Sequence, residues 1–329
     1  MTKYPVRYFI YFTFSILVFE AAGHLFYGDR LRSDLWTQLD SDGLKHTPNF
    51  DGSFRNFEMS YRVRTNVDGF RDRLKLKELG PADWIAVGDS FTFGVGAELE
   101  ELWLKHLGRK LGTNFYNAGV AGGNPKHYIK NYMRNLEEAN HKGVIMGFHI
   151  ATDFSSQKKQ NLIKPIQEYD LLYYRWRTLV FLGSNSITYN VFRDIYYLIK
   201  GGRKSGLEPQ MSSTQLPQEL ISYNCKLITD FAKYLQSKHK KFLFAFIPEA
   251  EIILRGINEK NIYAEAVRDF EICLQKARID FANPNNKLHL LPLVKRKKLF
   301  YEVDKHLSRT GNKMFGDFLF HFGINAAAF

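Results

Sequence analysis

The sequence predicts an α/β protein built on a parallel β-sheet of about five strands. Short apolar segments alternate with longer segments whose apolar residues recur at helical spacing, which indicates consecutive βαβ units. The chain has 329 residues, of which 45% are hydrophobic and 24% charged, as in an ordinary globular protein. This composition excludes intrinsic disorder, collagen-like repeats and a protein with many membrane spans.

The strands of the sheet are predicted from short apolar segments. Ligands bind at the carboxyl ends of parallel strands, so the loops that follow these segments are where a site is expected. Helices are expected between the strands, and Ser308 is expected to cap a last helix that runs to about Phe320. The predicted strands are Trp84 to Val87, Phe115 to Tyr116, Val144 to Phe148, Phe242 to Ile247 and Leu288 to Leu291.

The chain divides into an apolar N-terminal segment, an extension and an α/β domain. Residues 1–28 form the apolar segment, and residues 29–80 are polar, aromatic and turn-rich. Residues 81–329 carry the α/β alternation, but residues 155 to about 216 do not fit it and are predicted to form a helical insert. Within the extension, Asn66 to Arg71 is a turn signal followed by an aromatic residue.

The N-terminal segment is predicted to be a membrane anchor or a signal peptide. Lys3 and Arg7 precede the apolar run, which favours a cytoplasmic N-terminus, and Tyr8 to Gly28 approaches the length of a membrane span. An uncleaved anchor is favoured, although Ala21-Ala22-Gly23 is suitable for signal-peptide cleavage. Both interpretations export the rest of the chain. An anchored chain is expected in the periplasm or at the cell surface, and a cleaved chain is expected to be secreted. A buried N-terminal helix is the remaining alternative, because Glu20 interrupts the run.

The charge and cysteine content exclude several classes of protein. There are 46 basic and 34 acidic residues, a net charge of +12, yet no nucleic-acid-binding motif accompanies them. A solvated basic surface is favoured, with attraction to anionic lipid or acidic polysaccharide as the alternative. Two cysteines, Cys225 and Cys273, exclude a disulfide-rich scaffold and a cysteine-rich zinc module; the sequence leaves open whether they pair. It also leaves the oligomeric state open.

Residues suited to nucleophilic catalysis follow the predicted strands. Ser90, in Gly88-Asp89-Ser90, comes directly after the first strand, where backbone N–H groups and a helix N-terminus favour an oxyanion. Glycines among residues 119–123 follow the second strand and allow close approach of a ligand to the backbone. Asp304 and His306 follow the fifth predicted strand. The serine could act as nucleophile, the histidine as general base and the aspartate as orienting carboxylate.

These blocks resemble those of SGNH (GDSL-type) hydrolases of the bacterial membrane-anchored kind. Gly88-Asp89-Ser90 matches the nucleophile block, Asn117 to Gly122 the glycine block, and Asp304 to His306 followed by Gly311 the C-terminal block. The resemblance implies a flavodoxin-like three-layer α/β/α sandwich. It also implies ester hydrolysis through a Ser90–His306–Asp304 triad, without metal or organic cofactor, and an oxyanion hole that includes Ser90 and Gly122.

The sequence departs from the family pattern in two places. Thr152 stands where the third block has the asparagine that completes the oxyanion hole, so a hydroxyl would replace an amide donor. Asn124 is a possible substitute donor. Only one residue separates Asp304 from His306, where the family commonly has two. If Asp304 cannot reach the imidazole, the alternative is a Ser–His dyad.

The expected function is that of a serine esterase acting on O-acyl groups of a glycan or a lipid. One alternative is an acyltransferase that uses the same triad on a cell-envelope polysaccharide. Another, motivated by Thr152, is a non-catalytic glycan-binding protein on the same scaffold. The expected partners are an ester-bearing small molecule, lipid or polysaccharide and, through the N-terminal segment, a membrane; nucleic acid is not expected.

Overall fold

The computed structural model describes residues 4–27, 37–40, 43–55, 58–154, 178, 181–182, 186–199, 218–255 and 262–326. The chain begins with one long helix, α1 (Tyr4–Tyr27). Two antiparallel hairpins follow, in the region where the sequence indicated only a polar, turn-rich extension. They are formed by β1 (Thr37–Asp40) with β2 (Gly43–His46) and by β3 (Asp51–Arg55) with β4 (Ser60–Arg64).

The parallel sheet predicted from the sequence is confirmed. It has five strands in the order β6-β5-β7-β8-β9, and every neighbouring pair is parallel. All residues of β5, β6 and β7 are buried, because helices cover both faces of the sheet. The strands are β5 (Trp84–Val87), β6 (Phe115–Asn117), β7 (Gly143–Phe148), β8 (Lys241–Phe246) and β9 (Phe281–Ala282).

Helices connect the strands and extend the chain beyond them. In chain order they are α2 (Ser90–Phe93), α3 (Trp103–Leu111), α4 (Pro125–Asn131), α5 (Ile187–Ile199), α6 (Gln218–Ser237), α7 (Ala250–Arg255), α8 (Ile262–Lys276), α9 (Asn285–Leu288), α10 (Leu293–Lys297) and α11 (Arg309–Ala326). Ser308 caps α11 as predicted, since its Oγ accepts a hydrogen bond of 3.1 Å from the Gly311 N–H.

Alternation along β5 divides the core into two apolar clusters. Trp84 and Ala86 face a cluster that includes side chains of α3 and α11. Ile85 and Val87 face a second cluster that includes side chains of α4, α6 and α8. Successive strand residues point to opposite faces of a sheet, so the domain is a three-layer α/β/α sandwich. This confirms the fold class that the sequence predicted.

The prediction of a fifth strand at Leu288 to Leu291 is wrong. Residues Asn285–Leu288 form the short helix α9, and the edge strand is β9, a few residues earlier. A short apolar segment does not distinguish a strand from a turn of helix, and a two-residue strand is too short to show alternation. Helices α9 and α10 therefore separate β9 from Asp304, which does not directly follow a strand as expected.

Helix α1 contains a segment, Val6–Leu25, that is long and apolar enough to cross a membrane, and only 6% of this segment is buried within the protein. The alternative of a buried N-terminal helix is therefore wrong. Of the predicted helical insert, α5 is helical as expected, and most of the rest lies outside the described residues. Cys225 and Cys273 form a disulfide that joins α6 to α8 across a Cα–Cα distance of 6.2 Å.

Candidate active site

Ser90 lies on a tight turn between β5 and α2, at the carboxyl end of a central strand. A side chain at Gly88 would come within 2.1 Å of Thr92 Oγ1, so the turn requires glycine there. The Asp89 carboxylate accepts a hydrogen bond of 2.9 Å from the Phe91 N–H and so caps α2. Gly94, in the left-handed conformation with φ 93°, ends this helix after one turn. These local features hold Ser90 half-buried at the edge of the sheet.

His306 approaches Ser90 from a loop that precedes α11. His306 Nε2 lies 2.8 Å from Ser90 Oγ, and His306 Nδ1 is hydrogen-bonded to the Asp304 carboxylate. Because an ionised carboxylate only accepts, Nδ1 carries the proton in this arrangement, which leaves Nε2 to accept from the serine hydroxyl. The side chains of His306 and Asp304 are 16% and 10% exposed. Asp304 thus reaches the imidazole with only one residue between them. That residue, Lys305, adopts φ 68°.

Glu58 holds the loop that carries the aspartate. Its two carboxylate oxygens accept hydrogen bonds of 2.6 and 2.8 Å from the backbone N–H groups of Val303 and Asp304. Glu58 lies between β3 and β4, in the N-terminal extension. Nothing in the sequence around Glu58 marks it as part of the site, and only the folded chain brings it there.

The two residues whose backbone N–H groups are predicted to bind an oxyanion, Ser90 and Gly122, lie in neighbouring loops. Ser90 is the first residue of α2, so its N–H has no partner within the helix. Gly122 lies in the loop after β6 with φ 80°. The Val120 N–H donates to the Gly88 carbonyl at 2.8 Å, which fixes the two loops side by side. A side chain at Gly119 would lie 2.3 Å from the Phe93 nitrogen, so this close approach also requires glycine.

Thr152 is the predicted third donor of the oxyanion hole, and Asn124 is its possible substitute. The side chains of both residues make contacts within the protein. The Thr152 hydroxyl donates to Asp89 Oδ2 at 2.6 Å and accepts from His149 Nδ1 at 2.9 Å. A hydroxyl has one proton, so in this arrangement that proton points to Asp89. The Asn124 side-chain oxygen accepts from the His127 N–H at 3.1 Å and caps α4. A direct contact of either residue with an oxyanion stays a prediction.

A buried histidine and a buried carboxylate lie close together near the nucleophile turn. His149 Nε2 is 3.1 Å from a Glu249 carboxylate oxygen, and the His149 ring stacks on Phe91 at 4.0 Å between centroids. Burial alone lowers the pKa of His149, but Glu249, joined by Asp89, outweighs it and the net shift is upward. His149 Nδ1 donates to the Thr152 hydroxyl, while Nε2 faces the Glu249 carboxylate.

Arg71 clamps the segment after the nucleophile. This fully buried side chain donates to four backbone carbonyls, at 3.1 Å to Phe93, 2.6 Å to Gly94, 2.7 Å to Ala97 and 2.8 Å to Arg62. Burial lowers the pKa of Arg71 to about 10, so the group stays protonated at neutral pH. The sequence indicated Asn66 to Arg71 as a turn followed by an aromatic residue. In the structure this turn positions the Arg71 side chain against the backbone of Phe93 and Gly94.

His46 connects the extension to the glycine loop. Burial, with a further contribution from Arg71, lowers the pKa of His46 to about 3. The ring is therefore neutral at physiological pH, and its Nε2 lies 3.4 Å from the donating N–H of Ala121. Among the residues that the structure describes, no group of three His, Cys, Asp or Glu side chains is placed to hold a metal ion.

Solved structures with a similar arrangement of strands and helices are esterases and lipolytic proteins, at low identity. A lipase/acylhydrolase from Enterococcus faecalis is 11% identical with a TM-score of 0.45, over 74% of this chain and 96% of that one. An acetyl xylan esterase, AlAXEase, is 13% identical with a TM-score of 0.44, over 72% and 98%. A member of the lipolytic G-D-S-L family from Veillonella parvula DSM 2008 is 11% identical with a TM-score of 0.41, over 74% and 97%. No protein-family model matches this chain, and the search of curated proteins gave no match.

Proposed function

We propose that this protein is a serine hydrolase that cleaves an ester through an acyl-enzyme. The observation that carries the proposal is the contact of Ser90 Oγ with His306 Nε2 at 2.8 Å, with the opposite ring nitrogen bound to Asp304. This is the arrangement in which an imidazole removes a serine proton while a carboxylate orients the ring. A serine and a histidine that only packed together would not need a carboxylate on the far nitrogen.

The residues suggest an order of events. Ser90 Oγ attacks the ester carbonyl carbon while its proton passes to His306 Nε2, and Asp304 stabilises the imidazolium. The oxyanion that forms is placed to accept from the N–H groups of Ser90 and Gly122. As the tetrahedral intermediate collapses, His306 returns its proton to the leaving alcohol and Ser90 remains acylated. A water, deprotonated by His306, then releases the acid and restores the serine.

The proposed substrates are O-acyl esters of a glycan or lipid outside the cytoplasm. The exposed apolar helix α1 supports an anchor, and the disulfide between Cys225 and Cys273 supports an oxidising compartment. If an alcohol of a polysaccharide replaced water in the last step, the same triad would transfer the acyl group. Nothing at Ser90 or His306 favours one acceptor over the other, so we propose hydrolysis as the basal reaction.

The test replaces the nucleophile. Ser90→Ala is expected to lower kcat/KM for p-nitrophenyl acetate by at least about 10⁴-fold, because removal of a triad nucleophile leaves only the oxyanion donors and binding. The protein should fold as before, with an unchanged melting temperature. The matched control is Ser222→Ala, an exposed serine on α6, which should keep full activity.

A fluorophosphonate probe provides an independent measurement. It should label the unmodified chain at Ser90 and should not label Ser90→Ala. Unchanged turnover in Ser90→Ala would remove Ser90 as the nucleophile. Absence of labelling in a folded chain would favour the non-catalytic glycan-binding alternative.

A further inference from the structure

One face of α5 carries a continuous stripe of exposed apolar and aromatic side chains. Phe192, Ile195, Tyr196 and Ile199 follow the spacing i, i+3, i+4 and i+7, so they lie along one side of the helix. Phe192 is 67% exposed, Ile195 47%, Tyr196 56% and Ile199 78%. We refer to these four residues as the α5 stripe. Large apolar side chains exposed together in this way mark an interaction surface.

The opposite face of α5 packs on the N-terminal helix. Ile187, at the start of α5, is buried against Gly23 of α1. A Cβ atom added at Gly23 would lie 2.8 Å from Ile187 Cγ2, so the glycine permits this close approach. The two helices are thus in direct contact, and the stripe projects away from this contact.

Glu20 of α1 caps the N-terminus of α5. Its carboxylate accepts from the N–H groups of Ile187 at 2.7 Å and Thr188 at 2.9 Å, and from Ser186 Oγ at 3.2 Å. A carboxylate is costly within a membrane span unless protein groups satisfy it. These three donors and the dipole of α5 satisfy it here. This is a physical reason for an acidic residue inside the candidate span, whose other formally charged residue is Arg7, near its start.

The position of Glu20 fixes the depth at which α5 begins. The candidate span is Val6–Leu25. Glu20 precedes Leu25 by five residues, which at about 1.5 Å per residue is about 7.5 Å along the helix axis. A helix that starts at this depth lies at the boundary between headgroups and acyl chains, where interfacial helices bury their apolar face by about 5–10 Å. This holds for either orientation of the span.

We propose that α5 is an interfacial membrane helix, seated in the lipid bilayer beside the anchor with its stripe toward the acyl chains. The proposal rests on the membrane anchoring proposed above. A helix of 13 residues is too short to span a bilayer itself, which suits a position along the surface. Lys200, Arg203 and Lys204 follow α5 in the sequence, and the net charge is +12, which suits anionic headgroups. With anchor and α5 both in lipid, the catalytic domain would be held in one orientation to the membrane.

The experiment places a fluorophore on the stripe. Full-length protein with Ile199→Cys, labelled with the dye NBD under non-reducing conditions that keep the disulfide, is reconstituted into vesicles of phosphatidylcholine and phosphatidylglycerol. We expect blue-shifted emission, strong quenching by lipids spin-labelled near the headgroup, and quenching by aqueous iodide several-fold weaker than in the control. The control is Tyr223→Cys, exposed on α6 and expected to face water. Equal iodide quenching at the two positions would overturn the proposal.

A second copy of the chain is the rival occupant of the stripe. Dilution of the protein in the vesicles should leave NBD emission unchanged if lipid covers the stripe. Emission that shifts toward the red on dilution would instead assign the stripe to a contact between copies and overturn the proposal.

A pair of Glu20 variants tests the depth. Glu20→Ala removes the cap and should increase iodide quenching at position 199, whereas Glu20→Gln keeps an acceptor oxygen and should retain most of the protection. Equal protection in both variants would show that the cap does not set the depth.

Extraction of the vesicles at alkaline pH distinguishes failure of the proposed membrane anchor from failure of the α5 proposal. Loss of the protein from the membrane refutes the anchor, whereas retained protein with a water-exposed label refutes only the α5 proposal. Turnover by Ser90 is measured independently of both.

Discussion

The two sides of the candidate triad are held in different ways. Residues 88–94, which we call the nucleophile arm, form a turn and one turn of helix directly after a buried strand. Residues 301–306, which we call the base arm, form a loop without regular structure that is closed by an isolated bridge between Phe300 and Leu307. Each arm accepts hydrogen bonds from, or donates them to, one charged side chain of the N-terminal extension. The nucleophile arm receives the buried cation of Arg71, and the base arm receives the half-buried carboxylate of Glu58.

Because of this contrast, we expect the two supporting side chains to affect different properties of the protein. The nucleophile arm already has its own cap, Asp89, and its glycines, so Arg71 mainly satisfies buried carbonyls of a turn that the local sequence favours. The base arm has no cap of that kind among its described contacts, and Glu58 binds the backbone of Asp304, the residue proposed to orient His306. We therefore expect loss of Arg71 to lower stability more than turnover, and loss of Glu58 to lower turnover more than stability.

The largest effect is expected from Asp304, within the base arm. Asp304→Asn should lower kcat for p-nitrophenyl acetate by about 10³–10⁴-fold, because the amide no longer holds His306 in the required tautomer. Glu302→Gln, at an exposed position of the same loop, is the matched control and should keep kcat within about twofold of the unmodified chain. A loss below about tenfold in Asp304→Asn would favour the Ser–His dyad.

Arg71→Met should show the next largest effect, this time on folding. It leaves several buried carbonyls without a donor, so the free energy of unfolding should fall by about 3 kcal/mol or more in a denaturant titration. The comparison is Arg62→Met, which removes an exposed, solvent-screened ion pair with Asp51 and should lower stability far less. Equal losses in the two variants would contradict a clamping role for Arg71.

Glu58→Gln should affect turnover with little effect on stability. One amide oxygen can replace only one of the two carboxylate acceptors, so the base arm should lose its fixed position and kcat should fall about tenfold, or about 1.4 kcal/mol. The free energy of unfolding should change by less than about 1 kcal/mol, since the site is half-buried.

A second carboxylate in the extension, Glu78, provides the control for simple loss of a negative charge. Glu78→Gln alters an exposed carboxylate that accepts from the Lys75 N–H, and it should leave kcat unchanged. In Glu58→Gln, kcat should fall while KM stays nearly unchanged, because the contact of Asp304 with His306 loosens and substrate binding is not altered. Unchanged kcat with reduced stability would reduce Glu58 to a structural residue.

The smallest effect is expected at Lys305. Its φ of 68° is unfavourable for a residue with a side chain, so Lys305→Gly should relieve strain. Glycine also increases the freedom of the unfolded chain, and the net gain in the free energy of unfolding should be about 1 kcal/mol or less. A clear loss of stability would mean that the Lys305 side chain itself supports the base arm.

The sequence by itself determined four of the five strands and the order of the site blocks. Strands β5, β7 and β8 are apolar segments whose burial follows from their composition, and the glycine and serine of the nucleophile arm lie within a few residues of one another. Such features depend on local preference and hydrophobic pattern, which a single sequence carries. The spacing of Asp304 and His306 also lies in the sequence, but whether they meet depends on the backbone of Lys305.

Only the tertiary structure decided the remaining features, because each depends on residues far apart in the chain. The edge strand β9 is defined by pairing with β8, not by its own two residues. Glu58 and Arg71 reach the two arms from an extension whose sequence reads as polar turns, and Glu20 acquires a role only when α5 packs against α1. Thr152 shows the same limit at the site. Its hydroxyl donates to Asp89, which lies 63 residues earlier in the chain, and no local sequence pattern indicates that contact.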